Sequence, residues 1–175
     1  MAAWKKVIGP NMVDGFYIHA NGGGKVDLSA TVDESVFVGK YARVTENATV
    51  VGHVHISDHA VISGHCTISG EARISGFAKI TGDARISGHP LIFGSAQVSG
   101  NAQVQGRARV GGGARVSGNA LICTQARVLG RTNVSGDAVV SSTAFLVFGT
   151  FITGTVDESH SYLDGNVWKV RKPPA

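Results

Sequence analysis

Ala-Arg-Ile-Ser-Gly (72–76), Ala-Lys-Ile-Thr-Gly (78–82) and Ala-Arg-Ile-Ser-Gly (84–88) follow one another at a spacing of six residues, and this phrase decides the fold. Outward from it the period holds in both directions. Every sixth residue from Val26 to Ile152 is Val, Ile or Leu, twenty-two positions in succession without insertion or deletion. Two places before each of them, from Ala30 onward, stands Ala in fifteen cases and otherwise Val, Cys, Pro or Thr. A unit this short cannot bury a core by itself, so its neighbours must stack on it and share one.

Within each phrase the apolar seats lie two apart, as in Ala84 and Ile86, with Arg85 between them. That is the period of a strand, not of a helix. Fourteen of the twenty-two phrases place Gly two positions after the aliphatic residue, where a corner needs a backbone that tolerates positive φ. Each hexad therefore reads as a short strand followed by a turn.

The phrase resembles the hexapeptide repeat of the left-handed parallel β-helix, the fold of the hexapeptide acyltransferase superfamily, in which three hexads make one triangular coil. The resemblance spans about three quarters of the chain. It implies an all-β, single-stranded left-handed parallel β-helix of about seven triangular coils, roughly 30–35 Å long at ~4.8 Å per coil. Left-handedness is carried by the resemblance alone, because the general rule for parallel crossovers favours the right hand. Glycine falls mostly at the second place after the aliphatic residue, where the common family form has it at the first. Uninterrupted chains of this type also resemble phage and prophage hexapeptide proteins.

At 175 residues the expected organisation is one domain: a capping segment at 1–24, the β-helix at 25–156 and a C-terminal hairpin and tail at 157–175. Gly22-Gly23-Gly24 reads as a flexible joint; a phosphate cradle would want a helix after it, and none is suggested. Asp164-Gly165 carries a hairpin signal, with Tyr162, Trp168 and Val170 able to cover the last coil. Two cysteines are too few for a disulfide framework. Cys66 takes an inward seat and Cys123 an outward one, so both are expected to be reduced and the location cytoplasmic. No apolar run approaches the length of a signal peptide core or a membrane span.

Residues eighteen apart should stack in vertical rows, which turns the sequence into a surface map. One outward row reads Phe37, His55, Arg73, Leu91, Arg109, Arg127, Phe145, and its neighbour on the same face reads Gly39, Ser57, Ser75, Phe93, Gly111, Leu129, Val147. Phe77 and Phe148 lie at the corner. A contiguous apolar patch marks a contact surface, so Phe37, Leu91, Phe93, Leu129, Phe145 and Val147 are expected at a subunit interface, the three-fold packing that the family resemblance implies. From Glu71 to Asn133 eight Lys or Arg face two acids, a local excess of +6, whereas residues 1–70 hold five basic and six acidic groups. Arg73, Arg109, Arg127 and Arg131 are therefore the candidate ligand-binding residues, toward phosphates or an acidic surface. A solvated face of arginines is the plainer reading of the same residues.

Histidines offer weaker chemistry. His53, Glu71 and His89 share a corner row and could hold a metal or act as a His–carboxylate pair. Two histidines about 9.6 Å apart are too distant to share one zinc without large leaning, which favours a surface charge ladder. The γ-class carbonic anhydrases of the superfamily pair histidines five apart, and the gaps among His53, His55, His59 and His65 are two, four and six. For the acyltransferases the resemblance implies one basic His near a subunit boundary, which only His55 or His59 could supply. Thr45, Ser63, Thr81, Ser99, Ser117, Ser135 and Thr153 form a hydroxyl row, but its partner row (Lys25, Arg43, Val61, Lys79, Gln97, Arg115, Asn133) is too bulky and charged for an ice-binding face.

The leading expectation is a non-catalytic solenoid, a homotrimeric structural or binding module without cofactor whose basic surface takes an anionic partner. Uninterrupted regularity supports it, because active sites usually break a repeat. The alternative is a coenzyme A-dependent acyltransferase with His55 or His59 as base, and the third a metal-dependent hydratase.

Overall fold

The computed structural model describes residues 12, 13 and 15–156, all of them strand, turn or coil without helix. The C-terminal segment expected at 157–175 lies outside the described residues. Strand β1 (Met12–Val13) and β2 (Phe16–Ile18) form an antiparallel hairpin, and β3 (Lys25–Asp27) opens the repeat. Then come sixteen two-residue strands, β4 (Thr31–Val32) to β19 (Leu121–Ile122), one per hexad. Two long strands, β20 (Arg127–Val140) and β21 (Phe145–Val156), close the fold.

From β3 to β20 pairing is parallel and links each hexad to the third one after it: Lys25 with Arg43, Thr67 with Arg85, Leu121 with Val139. Every such pair is eighteen residues apart, so three hexads complete one coil. The fold is a parallel β-solenoid of about seven turns. Sequence parity decides what faces inward. Arg73 and Arg85 are exposed while Ala72, Ile74 and Ala84 are fully buried. The core is thus a stack of aliphatic columns beside alanine columns, each buried Ile worth ~1.5–3 kcal/mol of transfer free energy.

The ladder explains which substitutions the small seat accepts. N–H donors to the next coil come from residues facing outward: His89 to Gly106 at 2.7 Å, Leu91 to Ala108 at 2.9 Å and Phe93 to Val110 at 3.0 Å. The alanine seat does not donate along the ladder, and where its N–H bonds it closes a turn, as Ala60 to Ser57 at 3.3 Å, so Pro90 fills one without losing a ladder bond. Thr132 fills another, and its buried hydroxyl donates to the Leu129 carbonyl at 2.7 Å.

Corners use the left-handed region. Gly82 has φ +74°, and a Cβ there would come within 2.9 Å of the Gly100 nitrogen in the coil above. Both constraints favour glycine. Glu46, Asp58, Thr124 and Ser142 hold the same place with φ between 55° and 58°. For the β-branched Thr124 this is a strained conformation.

At the N-terminal end β2 runs antiparallel along the open side of β3, with Tyr17 opposite the buried Val26. Tyr17 packs on the core, and burial raises its pKa. The three glycines then cross the next edge: Gly24 N–H donates to Val38 O at 2.8 Å, and Val38 N–H to Asn21 O at 2.9 Å. A Cβ on Gly22 or Gly24 would strike Val38, so the run serves close backbone approach rather than an anion. His19 is buried here, its ring nitrogens 3.2 Å from the carbonyls of Asn21 and Asp33.

The unbroken period expected up to Ile152 fails in the last coil. Val128 still pairs with Leu146, but Arg131 pairs with Phe148 and Val134 with Phe151, seventeen apart, and Val140 pairs with Val156, sixteen apart. Phe151 and not Ile152 is thus the register partner of the core residue Val134. The chain passes Gly130 so closely that a Cβ there would strike the Val147 carbonyl, and the tightened corner saves a residue. A second shift between Val134 and Asp137 brings Val156 beside Val140, both buried.

Candidate interaction face

Of the three faces, the one built on Val38, Ile56, Ile74, Ile92, Val110, Val128 and Leu146 differs from the others in what it shows to solvent. Its first outward row begins with Phe37 stacked on His55, ring centroids 4.3 Å apart and 5° from parallel. Arg73, Leu91, Arg109 and Arg127 follow, each the register partner of the next. The three arginines are exposed and Leu91 is half-buried. In the second row Phe93 lays its ring over Gly111, which is buried by it. An aromatic side chain covering a cross-strand glycine restores the packing that the missing side chain gives up.

The corner beside these rows carries a ring column that none of the rows drawn above contains. Tyr41, His59 and Phe77 are eighteen apart and stack continuously, with centroid separations of 5.3 and 5.2 Å and interplanar angles of 22° and 5°. Each ring rises from one coil, so the strand spacing itself sets the stacking distance. Lys40 places its ammonium 5.7 Å from the Tyr41 ring. Above Phe77 the column continues with Ser95, Gly113 and the exposed Arg131, and by the shifted register with Phe148. Tyr41, Phe77 and Phe148 are 61%, 65% and 47% exposed.

Phe37, Leu91, Phe93, Leu129, Phe145 and Val147 occupy this one face and are half-buried. The most exposed apolar groups are the corner rings. Arg73, Arg109, Arg127 and Arg131 are all exposed, and among the described residues none of them forms an ion pair. The acids near the face are engaged: Asp58 Oδ2 accepts from Gly76 N–H at 2.8 Å, and Glu71 meets His89 Nε2 at 3.5 Å on the opposite corner.

That His89–Glu71 contact is all that forms of the corner metal candidate. No contact joins His53 to the pair among the described residues, and no group of three or more metal-binding side chains converges there. With both partners more than half exposed, the pair is a solvated contact of small energetic weight. His55 and His59, the candidate bases, both spend a ring face on packing, His55 against Phe37 and His59 between Tyr41 and Phe77. Cys66 is buried in an alanine seat, and burial pushes its thiol up to about 12, which keeps it from acting as a nucleophile near neutrality.

The other faces carry no ring column among the described residues. One carries half-buried hydroxyls from Thr45 to Ser135 and is basic as well, with Lys25, Arg43, Lys79 and Arg115 in its outward row. Its corner is a ladder of side-chain hydrogen bonds: Asn101 to Asn119 at 3.2 Å, Asn119 to Asp137 at 2.9 Å. The remaining face holds an open depression lined by Thr67, Ser69, Arg85, Ser87, Gln103 and Gln105.

These features define a parallel β-solenoid with a single aromatic face. No family model matches the chain, and no curated protein or solved structure does either. No helix among the described residues is long and apolar enough to cross a membrane.

Proposed function

We propose that this chain is a non-catalytic binding module, a rigid column that presents one specialised face. The observation that carries the reading is the segregation of rings onto one face of three that share the same backbone, with Arg73, Arg109 and Arg127 in the same face. In this reading the half-buried apolar groups of the later coils, Phe93, Leu129, Phe145 and Val147, associate with their counterparts in a homotrimer. The Tyr41–His59–Phe77 corner and the arginines stay at the rim, where an anionic partner docks.

Sedimentation velocity at micromolar concentration tests the assembly. A trimer that Phe93→Asp or Leu129→Asp dissociates is expected; a monomer unaffected by either change overturns it. Titration with acetyl-coenzyme A tests the non-catalytic part. Saturable binding lost in His59→Ala would replace this reading with acyl transfer, and stoichiometric zinc, iron or cobalt by elemental analysis would replace it with metal-dependent hydration.

A further inference from the structure

The corner stack ends on an unused ring face. His59, itself stacked on Tyr41, covers one side of the Phe77 ring, and the next two coils contribute only Ser95 and Gly113 to the same column. The next place in the stack, about one strand spacing beyond Phe77, therefore has no side-chain ring to fill it. At that level the adjacent face presents Leu91 and Phe93, and cations stand in the coils beyond it. Arg109 and Arg127 are register partners in the adjacent face, and Arg131 closes the column above Gly113. All three are exposed, without an ion pair among the described residues, in a stretch whose charge excess is +6 between Glu71 and Asn133.

We propose that the anionic partner of this face is single-stranded nucleic acid, one base stacking on the open face of Phe77 while phosphates follow Arg109, Arg127 and Arg131. The inference rests on the reading of this face as an anion-binding surface and adds what the rings contribute. Phosphate attraction alone needs only the arginines. A vacant stacking place at the end of a built column, with guanidinium groups one and two coils beyond it, matches a planar ring joined to a phosphate chain. Duplexes are disfavoured because their bases are already stacked on each other and present no free face to Phe77. Base faces are alike enough that binding is expected to tolerate sequence.

The test is fluorescence anisotropy with a labelled oligodeoxythymidylate and an oligouridylate, compared with a duplex of equal length and with heparin, at several salt concentrations. Single strands are expected to bind more tightly than the duplex. Phe77→Ala should weaken them about tenfold or more, with Phe77→Trp restoring binding. Replacing Arg109, Arg127 and Arg131 together by Gln should reduce the slope of log affinity against log salt by roughly two. Because Phe77 is exposed, circular dichroism should show its variants folded. Equal binding of duplex, heparin and single strand, indifferent to Phe77→Ala, would overturn the nucleic-acid inference and leave a general anion surface. Binding to none of these polyanions would overturn both.

Discussion

The aromatic face and the hydroxyl face are made from the same strand, the same turn and the same inward columns and both carry outward cations, yet only one of them bears rings. Ile74 and Ile80 occupy equivalent buried seats on these two faces. Six residues apart, the outward neighbours Phe77 and Asp83 stand at successive corners, one continuing a ring stack and the other beside His65, whose Nδ1 is 4.0 Å from Asp83 Oδ1. The repeat constrains only alternate side chains, which leaves the outward rows free to specialise without cost to the core.

If the comparison holds, the inward seats are interchangeable in energy. Ile74→Ala and Ile80→Ala should each destabilise by ~2–5 kcal/mol, and by similar amounts, in chemical denaturation. A large difference would mean that one face is supported from outside.

Alkaline titration probes the same seats at Cys66. Its folded pKa lies near 12, above the ordinary value of 9.0. The unfolded chain therefore loses the thiol proton first, so this contribution is intact below about pH 9 and is lost as pH rises toward 12. Its slope reaches at most ~1.4 kcal/mol per pH unit. Cys66→Ala should flatten that part of the stability profile, measured by thermal melts from pH 8 to pH 11.

Corners should behave asymmetrically. Gly82→Ala forces a Cβ into the left-handed region against Gly100 and should cost more than ~1 kcal/mol. Thr124→Gly relieves the same strain but removes a hydroxyl that donates to the Ser142 carbonyl at 3.1 Å, so a gain of no more than ~1 kcal/mol is expected.

Outward changes should be smallest for stability. Phe77→Ala and Thr81→Ala should both fall within ~1 kcal/mol of the parent. Only the first should alter association with a single strand. An equal effect of the two on binding would erase the distinction between the faces.

Much of the molecule is legible in the order of its residues. The aliphatic residue every six positions and the small seat two places earlier locate the core, the corners and the eighteen-residue coil. The rows containing Arg73, Arg109 and Arg127 follow by arithmetic. The Tyr41–His59–Phe77 column obeys the same arithmetic, but it stays hidden when Phe77 is weighed as a lone corner residue and His59 as a base. Starting from Tyr41 and adding eighteen twice finds it. The shift at Gly130 has no comparable signal, since Val, Ile or Leu still falls at Leu146 and Ile152.

By itself the sequence determined the strand parity and the circumference of every coil but the last, because a six-residue unit has one way to hide its aliphatic residue and must repeat it. The tertiary structure decided how closely neighbouring coils approach. That separation brought three rings into one stack, laid Phe93 over Gly111 and shortened the last coil against Gly130. Such effects depend on distances between backbones eighteen residues apart, which the local pattern of apolar and polar residues does not encode.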